Sequence, residues 1–143
     1  MSYTENTKVK QVLCRIYKTI SDHGDKAVSA IYDNLTSYDI QYEPSYVSSS
    51  DWRALKEIDS HEIYEELLSA YFDGAVSYQN EEVKKLLFEV NEVMAKMGYK
   101  PINRITSYLA EEDPSYITSR YIDKITDCGH YTIIKELISA YVK

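Results

Sequence analysis

The chain has 143 residues, 44% hydrophobic and 27% charged, with a net charge of −7, the make-up of an ordinary globular protein. The acidic balance argues against nucleic acid as a partner, because phosphate binding needs a basic surface, and it gives no help at an anionic membrane. Two cysteines, Cys14 and Cys128, are too few for a disulfide framework.

The apolar residues fall at helical spacing almost throughout. Val9, Val12, Leu13, Ile16, Tyr17 and Ile20 follow i, i+3, i+4, i+7, i+8, i+11, so they form one stripe of a first helix, which Gly24 ends. Ala27, Val28, Ile31 and Leu35 predict a second helix. After Pro44 comes a turn leading into a short third helix near Trp52 and Leu55. Asp59 with Glu62 resembles a capping box opening a fourth helix, whose buried stripe is Ile63, Tyr64, Leu67, Leu68, Tyr71 and Phe72. Residues Gly74 to Glu82 read as a polar linker, with Asn80 as the N-cap of the next helix.

From there the design repeats. Val83, Leu86, Leu87, Val90 and Met94 form a stripe that stops at Gly98, and Pro101, Ile102, Ile105 and Leu109 follow, with Pro101 suited to a first helical position. Ile122 and Ile125 mark a short helix after Pro114. Ile133, Ile134, Leu137, Ile138, Tyr141 and Val142 form the last stripe. The echoes reach individual residues: Val9-Lys10-Gln11-Val12-Leu13 and Val83-Lys84-Lys85-Leu86-Leu87, Pro44-Ser45-Tyr46 and Pro114-Ser115-Tyr116, Glu66-Leu67-Leu68-Ser69-Ala70-Tyr71 and Glu136-Leu137-Ile138-Ser139-Ala140-Tyr141. The offset is about 74 residues before the proline and about 70 after it, so the first copy carries roughly four extra residues near Tyr38 to Glu43.

These patterns predict an all-α fold of two tandem units of about four helices each, residues 1–73 and 83–143, joined by the linker 74–82. A lone unit of this size buries only about 60% of its unfolded surface. The two units are therefore expected to pack as an intramolecular pseudo-dimer, leaving the chain a monomer. Residues 1–73 hold 7 basic and 13 acidic side chains, and residues 83–143 hold 9 and 8. The copies have diverged in surface character while keeping their apolar pattern.

The second copy carries Met97-Gly98-Tyr99-Lys100-Pro101-Ile102-Asn103-Arg104-Ile105, then Tyr108-Leu109 and Asp113-Pro114-Ser115-Tyr116-Ile117, and it closes on Ile133-Ile134-Lys135-Glu136-Leu137 through Ala140-Tyr141. This resembles the IreB family, also known as ReoM. The first copy is similar in its closing Glu62-Ile63-Tyr64-Glu65-Glu66-Leu67, but has Lys26-Ala27-Val28-Ser29 where the family centre has asparagine and proline. On this resemblance the family-motif residues are Gly98, Tyr99, Pro101, Asn103, Asp113, Pro114 and Tyr116, with Pro44 and Tyr46 in the first copy. The opening Tyr3-Thr4-Glu5-Asn6-Thr7 resembles the family's N-terminal tail, with Thr4 and Thr7 on its threonines.

The resemblance implies a small, helical, non-enzymatic regulator of Gram-positive bacteria. Such a protein is phosphorylated near its N-terminus by a membrane Ser/Thr kinase with extracellular PASTA repeats, and it controls turnover of the enzyme that starts peptidoglycan synthesis. The expected partners are therefore proteins: a Ser/Thr kinase and components of envelope synthesis or proteolysis. Neither nucleic acid nor membrane insertion is expected, and no apolar run resembles a signal peptide or reaches membrane-spanning length, so the expected location is the cytoplasm. The alternative is a structural protein-interaction module that kept the fold and lost phosphoregulation. The basic segment that follows the aspartate-proline turn in the family is here reduced to Arg53, or to Arg120 and Lys124.

Other candidate chemistry is thin. Cys128-Gly129-His130 invites a metal reading, but zinc needs about four ligands at motif spacing, so no metal or other cofactor is expected. His23 and His61 belong to no such motif. Cys14, on the apolar stripe opposite Phe88, reads as core. No nucleophile pair or glycine-rich phosphate loop is visible, so no catalytic residue is predicted. Tyr46, Tyr116, Tyr71 and Tyr141 are expected to pack the unit junction, each hydroxyl bonded to a backbone group. Glu65, Glu66 and Glu136 are expected on the solvated side of the closing helices.

Overall fold

The computed structural model describes residues 3–36 and 44–143. Among them are eight α-helices and no strand: α1 (Thr7–Asp22), α2 (Ala27–Thr36), α3 (Ser49–Glu57), α4 (Ser60–Asp73), α5 (Glu81–Lys96), α6 (Pro101–Glu111), α7 (Ser119–Cys128) and α8 (His130–Val142), with a 3-10 turn at Pro114–Tyr116. The all-helical expectation holds. The insertion expected at Tyr38 to Glu43 lies outside the described residues.

The helix starts follow the capping chemistry of the sequence. Asn6 accepts a bond from the Val9 amide at 3.2 Å, and Asn80 accepts from Glu82 and Val83, both at 3.1 Å. Such side chains satisfy donors that a first helical turn otherwise leaves open. Asp59 does cap α4, but it accepts from the His61 amide at 2.8 Å, and Glu62 turns away to take a bond from Asn6 Nδ2 at 2.9 Å. The expected reciprocal box is therefore half made: Glu62 has been drawn to another helix. Gly74 ends α4 in the left-handed region, at φ +84°, a conformation that costs a residue with a Cβ. Gly129, at φ +95°, alone separates α7 from α8.

Buried residues from all eight helices form one continuous core. In α1 these are Val9, Val12, Leu13, Ile16 and Ile20, and in α5 Val83, Leu87, Val90 and Met94. The predicted stripes are thus the buried ones, with Tyr17 and Leu86 half-buried at their margins. Cys14 also sits at that margin, half-buried rather than in the core. The second helices match in part: Ala27, Ile31, Ile105 and Leu109 are buried as expected, but the inward face extends beyond the expected stripe. Ala30 and Asn34 of α2, and Thr106 and Tyr108 of α6, face inward, while Val28, Leu35 and Ile102 are half-buried.

Packing order differs from chain order. Helix α4 lies chiefly on α6 and α8, while α8 lies on α2 and α4. The first helices stay with their sequence neighbours, α1 on α2 and α3, α5 on α6 and α7. Each closing helix therefore packs on the second helix of the other half of the chain, and the two closing helices meet at the centre. That position explains why they are apolar over more than one face.

Candidate functional site

At the α4–α8 contact the core holds two carboxylates. Glu66 is 5% exposed and Glu136 3%, contrary to the solvated position their charge suggests, whereas Glu65 is exposed as expected. Burying a carboxylate is costly unless hydrogen bonds replace its water. Here those bonds come from the opposite closing helix. Tyr141 donates to Glu66 Oε2 at 2.6 Å, and Tyr71 donates to Glu136 Oε2 at 2.8 Å. The expectation that these tyrosines pack the junction holds; their hydroxyls meet carboxylates, not backbone. Burial, and then the neighbouring glutamate, raises the pKa of both phenols far above the ordinary tyrosine value. Each hydroxyl therefore keeps its proton and remains a donor.

Backbone N–H groups complete each site. The Asn6 amide donates to Glu66 Oε1 at 3.1 Å, and Tyr3 donates its hydroxyl to Glu66 Oε2. At the other end the Gln79 amide donates to Glu136 Oε2 at 3.1 Å. The α8 end is further tied by Lys10, whose Nζ donates to the Tyr141 carbonyl at 2.8 Å and lies 4.1 Å from that ring's centre. A cation suits the last turn of a helix, where carbonyls are unpaired. At the equivalent place in α4 the Tyr71 carbonyl accepts from Tyr78 at 2.7 Å, and Lys84 lies 4.2 Å over the Tyr78 ring.

Beside the Glu66 site runs an open groove of about 830 Å³, walled by Asp59, Glu62, Glu65, Glu66 and Asp73, with Phe72 and Ile102 as its apolar part. Thr4 is exposed and borders this groove; Thr7 is exposed as the first residue of α1. The arm that carries Thr4 is therefore docked by the residues on either side of it, Tyr3 and Asn6.

The motif residues of the second half gather around Arg104. Gly98, at φ +86°, turns the chain out of α5, and Pro101 opens α6. Arg104 places its guanidinium 4.4 Å from the centre of the Tyr99 ring and donates from Nε to the Tyr116 carbonyl at 2.8 Å. Asp113 caps the 3-10 turn at Pro114 by accepting from the Ser115 amide at 3.0 Å, and that bond holds its carboxyl below the usual range. Asn103 is exposed.

Tyr116 donates to Glu111 at 3.1 Å. Tyr46 stacks on His23 with centroids 3.7 Å apart and donates to Asp25, while Pro44 is buried. Tyr46 and Tyr116 thus tie local turns rather than packing the central junction. His130 contacts the Leu109 carbonyl at 2.8 Å, and His61 lies 3.7 Å from Glu111. Among the described residues no group of three histidine, cysteine or acidic side chains is placed to hold a metal ion. No helix among them is long and apolar enough to cross a membrane.

Sequence reasoning missed Glu66, Glu136, Lys10 and Arg104. A signal for the glutamates was present: both precede a repeated Leu-x-Ser-Ala-Tyr by the same step.

The site defines an all-helical protein whose buried polar chemistry ties helices together at their central contact. Residues 74–143, which include α5 to α8, match the model of the IreB family, described as IreB regulatory phosphoprotein. That family is one of regulatory phosphoproteins, not known as enzymes. No solved structure matches the chain.

Proposed function

We propose that the chain is a cytoplasmic regulatory protein of IreB type, made of two tandem IreB-like units, residues 1–73 and 83–143, packed as an intramolecular pseudo-dimer. It acts by binding other proteins. It is phosphorylated on Thr4 or Thr7 by a PASTA-type Ser/Thr kinase, and its partners belong to envelope synthesis or proteolysis.

The observation that carries the architectural part is the reciprocal exchange at the centre. Glu66 takes a bond from Tyr141, and Glu136 takes one from Tyr71. The repeat offset maps Glu66 onto Glu136 and Tyr71 onto Tyr141. A two-fold dimer interface has this form, in which residue i meets j and j meets i. The exchange of α4 onto α6 and α8 onto α2 supports the same reading. Because that face is then satisfied within one chain, the protein is a monomer. Analytical ultracentrifugation tests this, and a tight dimer would count against the packing.

The regulatory part is supported by the family match over residues 74–143 and by the exposure of both threonines. Incubation with a PASTA-type kinase, followed by mass-spectrometric mapping, tests it; absence of label on Thr4 and Thr7 would sink the phosphoregulation and leave the fold untouched. The competing reading is a structural interaction module without phosphoregulation. It is favoured by the reduced basic segment, with Arg53 in the first half and only Arg120 and Lys124 in the second. Binding measured with wild type and with a Thr4→Glu/Thr7→Glu variant separates the two, since only a switch changes its partners.

A further inference from the structure

The geometry points to the segment Tyr3–Asn6 as a detachable strap over the Glu66 carboxylate, with Thr4 as the position at which an added phosphate releases it. This inference rests on the phosphoregulated reading above and names what the modification does.

Three bonds tie the strap to α4, each ending on a carboxylate; Asn6 also caps α1, and Tyr3 packs against the core. Tyr3 donates to Glu66, the Asn6 amide donates to Glu66 Oε1 at 3.1 Å, and Asn6 Nδ2 donates to Glu62 Oε2 at 2.9 Å. Thr4 lies between these anchors on the rim of a groove whose charged wall is Asp59, Glu62, Glu65, Glu66 and Asp73. A phosphate adds about −1.5 to −2 charges at neutral pH. The screening length in physiological salt is about 8 Å, so a phosphate bordering the groove is repelled by its carboxylates. The nearby cation is already paired: Lys8 Nζ is 3.9 Å from Glu62. Repulsion therefore works against the bonds that seat the strap.

Thr7 differs by position. It is the first residue of α1, where unpaired amides and the helix dipole favour an anion. A phosphate there reinforces the start of α1 and leaves the strap in place. The opposite end of the junction provides an internal control. Glu136 is covered by Gln79, in a segment with α4 before it and α5 after it, which phosphorylation of Thr4 does not reach.

The test uses the whole chain with phosphothreonine installed chemically, independent of any kinase. A synthetic segment 1–13 is joined to residues 14–143 through the native Cys14. Amide hydrogen exchange of Asn6 and Gln79 is then read by NMR. Phosphorylation at Thr4 is expected to accelerate exchange at Asn6 by about tenfold or more and to leave Gln79 unchanged. Phosphorylation at Thr7 is expected to leave Asn6 no faster than in the unmodified chain. The acceleration should shrink at 1 M salt, where screening acts over about 3 Å.

An Asn6 amide that stays equally protected after Thr4 phosphorylation overturns the proposal. So does an equal rise at Gln79, or an acceleration that salt does not change. Failure here would leave kinase labelling of the threonines standing, and failure of labelling would leave this result readable.

Discussion

The two ends of the α4–α8 contact solve one problem with different means. Each has a buried glutamate, a tyrosine from the facing helix and a backbone amide just ahead of an N-capped helix. At Glu136 the covering segment is also bonded to the rest of the core, with the Ser77 amide donating to the Ala140 carbonyl at 2.9 Å and Tyr78 to the Tyr71 carbonyl. At Glu66 the strap's bonds to α4 converge on Glu66 and Glu62, and it borders an acidic groove. The lesson is that a buried charge can be held by equivalent hydrogen bonds while its cover differs in how firmly it is fixed. The firmly covered end reads as architecture, and the other end is the place to look for regulation.

Substitutions in the shared core should break both ends together. Leu67→Ala and Leu137→Ala each delete a fully buried side chain and are expected to cost about 2–5 kcal/mol. Denaturant unfolding measures both; a large inequality between them would show that the ends do not share one core. Next come the tyrosines. Tyr71→Phe strips Glu136 of its phenol donor, with an expected cost of about 1.5–3 kcal/mol. Tyr141→Phe should cost less, because Tyr3 and the Asn6 amide still serve Glu66. A reversed order would contradict this account of the contacts.

Alkaline pH probes the same phenols. Their folded-state pKa values lie above the unfolded value of about 10, chiefly through burial and then through the glutamates. The native state therefore holds these protons more tightly than the unfolded chain does. Stability from this source is complete below about pH 10 and falls as pH rises beyond it. Urea midpoints between about pH 9 and 11 should fall more steeply for wild type than for the double variant Tyr71→Phe/Tyr141→Phe; parallel slopes would remove the phenols from the explanation.

The smallest effects should separate the two ends. Tyr3→Phe removes one strap bond and is expected to cost about 0.5–1.5 kcal/mol, with faster exchange at Asn6 and none at Gln79. Asp59→Ala, which uncaps α4, should cost about 1 kcal/mol. Helix α8 starts at Gly129 with no side-chain cap to lose.

Much of this fold was legible because apolar spacing and caps are local. Val9, Val12, Leu13, Ile16 and Ile20 sit where their period puts them, and Asn80 caps α5. The junction was not legible in the same way. A glutamate in a helix reads as solvated unless its donors are known, and the donors to Glu66 lie 60, 63 and 75 residues away. The rest of the inward face of α2 and α6 escaped for a related reason. Their inward faces carry Asn34 and Thr106, polar residues that no apolar stripe includes. Thr4 and Thr7 were suggested by resemblance alone; their surroundings came from the packing.

The crossed arrangement of the closing helices also constrains how the protein can be made. Helix α4 is complete at Asp73, but α6 begins at Pro101 and α8 ends at Val142. A ribosome adding about 5–20 residues per second needs several seconds to supply those partners. Until then Tyr64, Leu67, Leu68 and Tyr71 lack much of their final surroundings, and the nascent first half has an apolar surface to keep from aggregating. Completion of the first half's core thus waits for α8 to leave the exit tunnel.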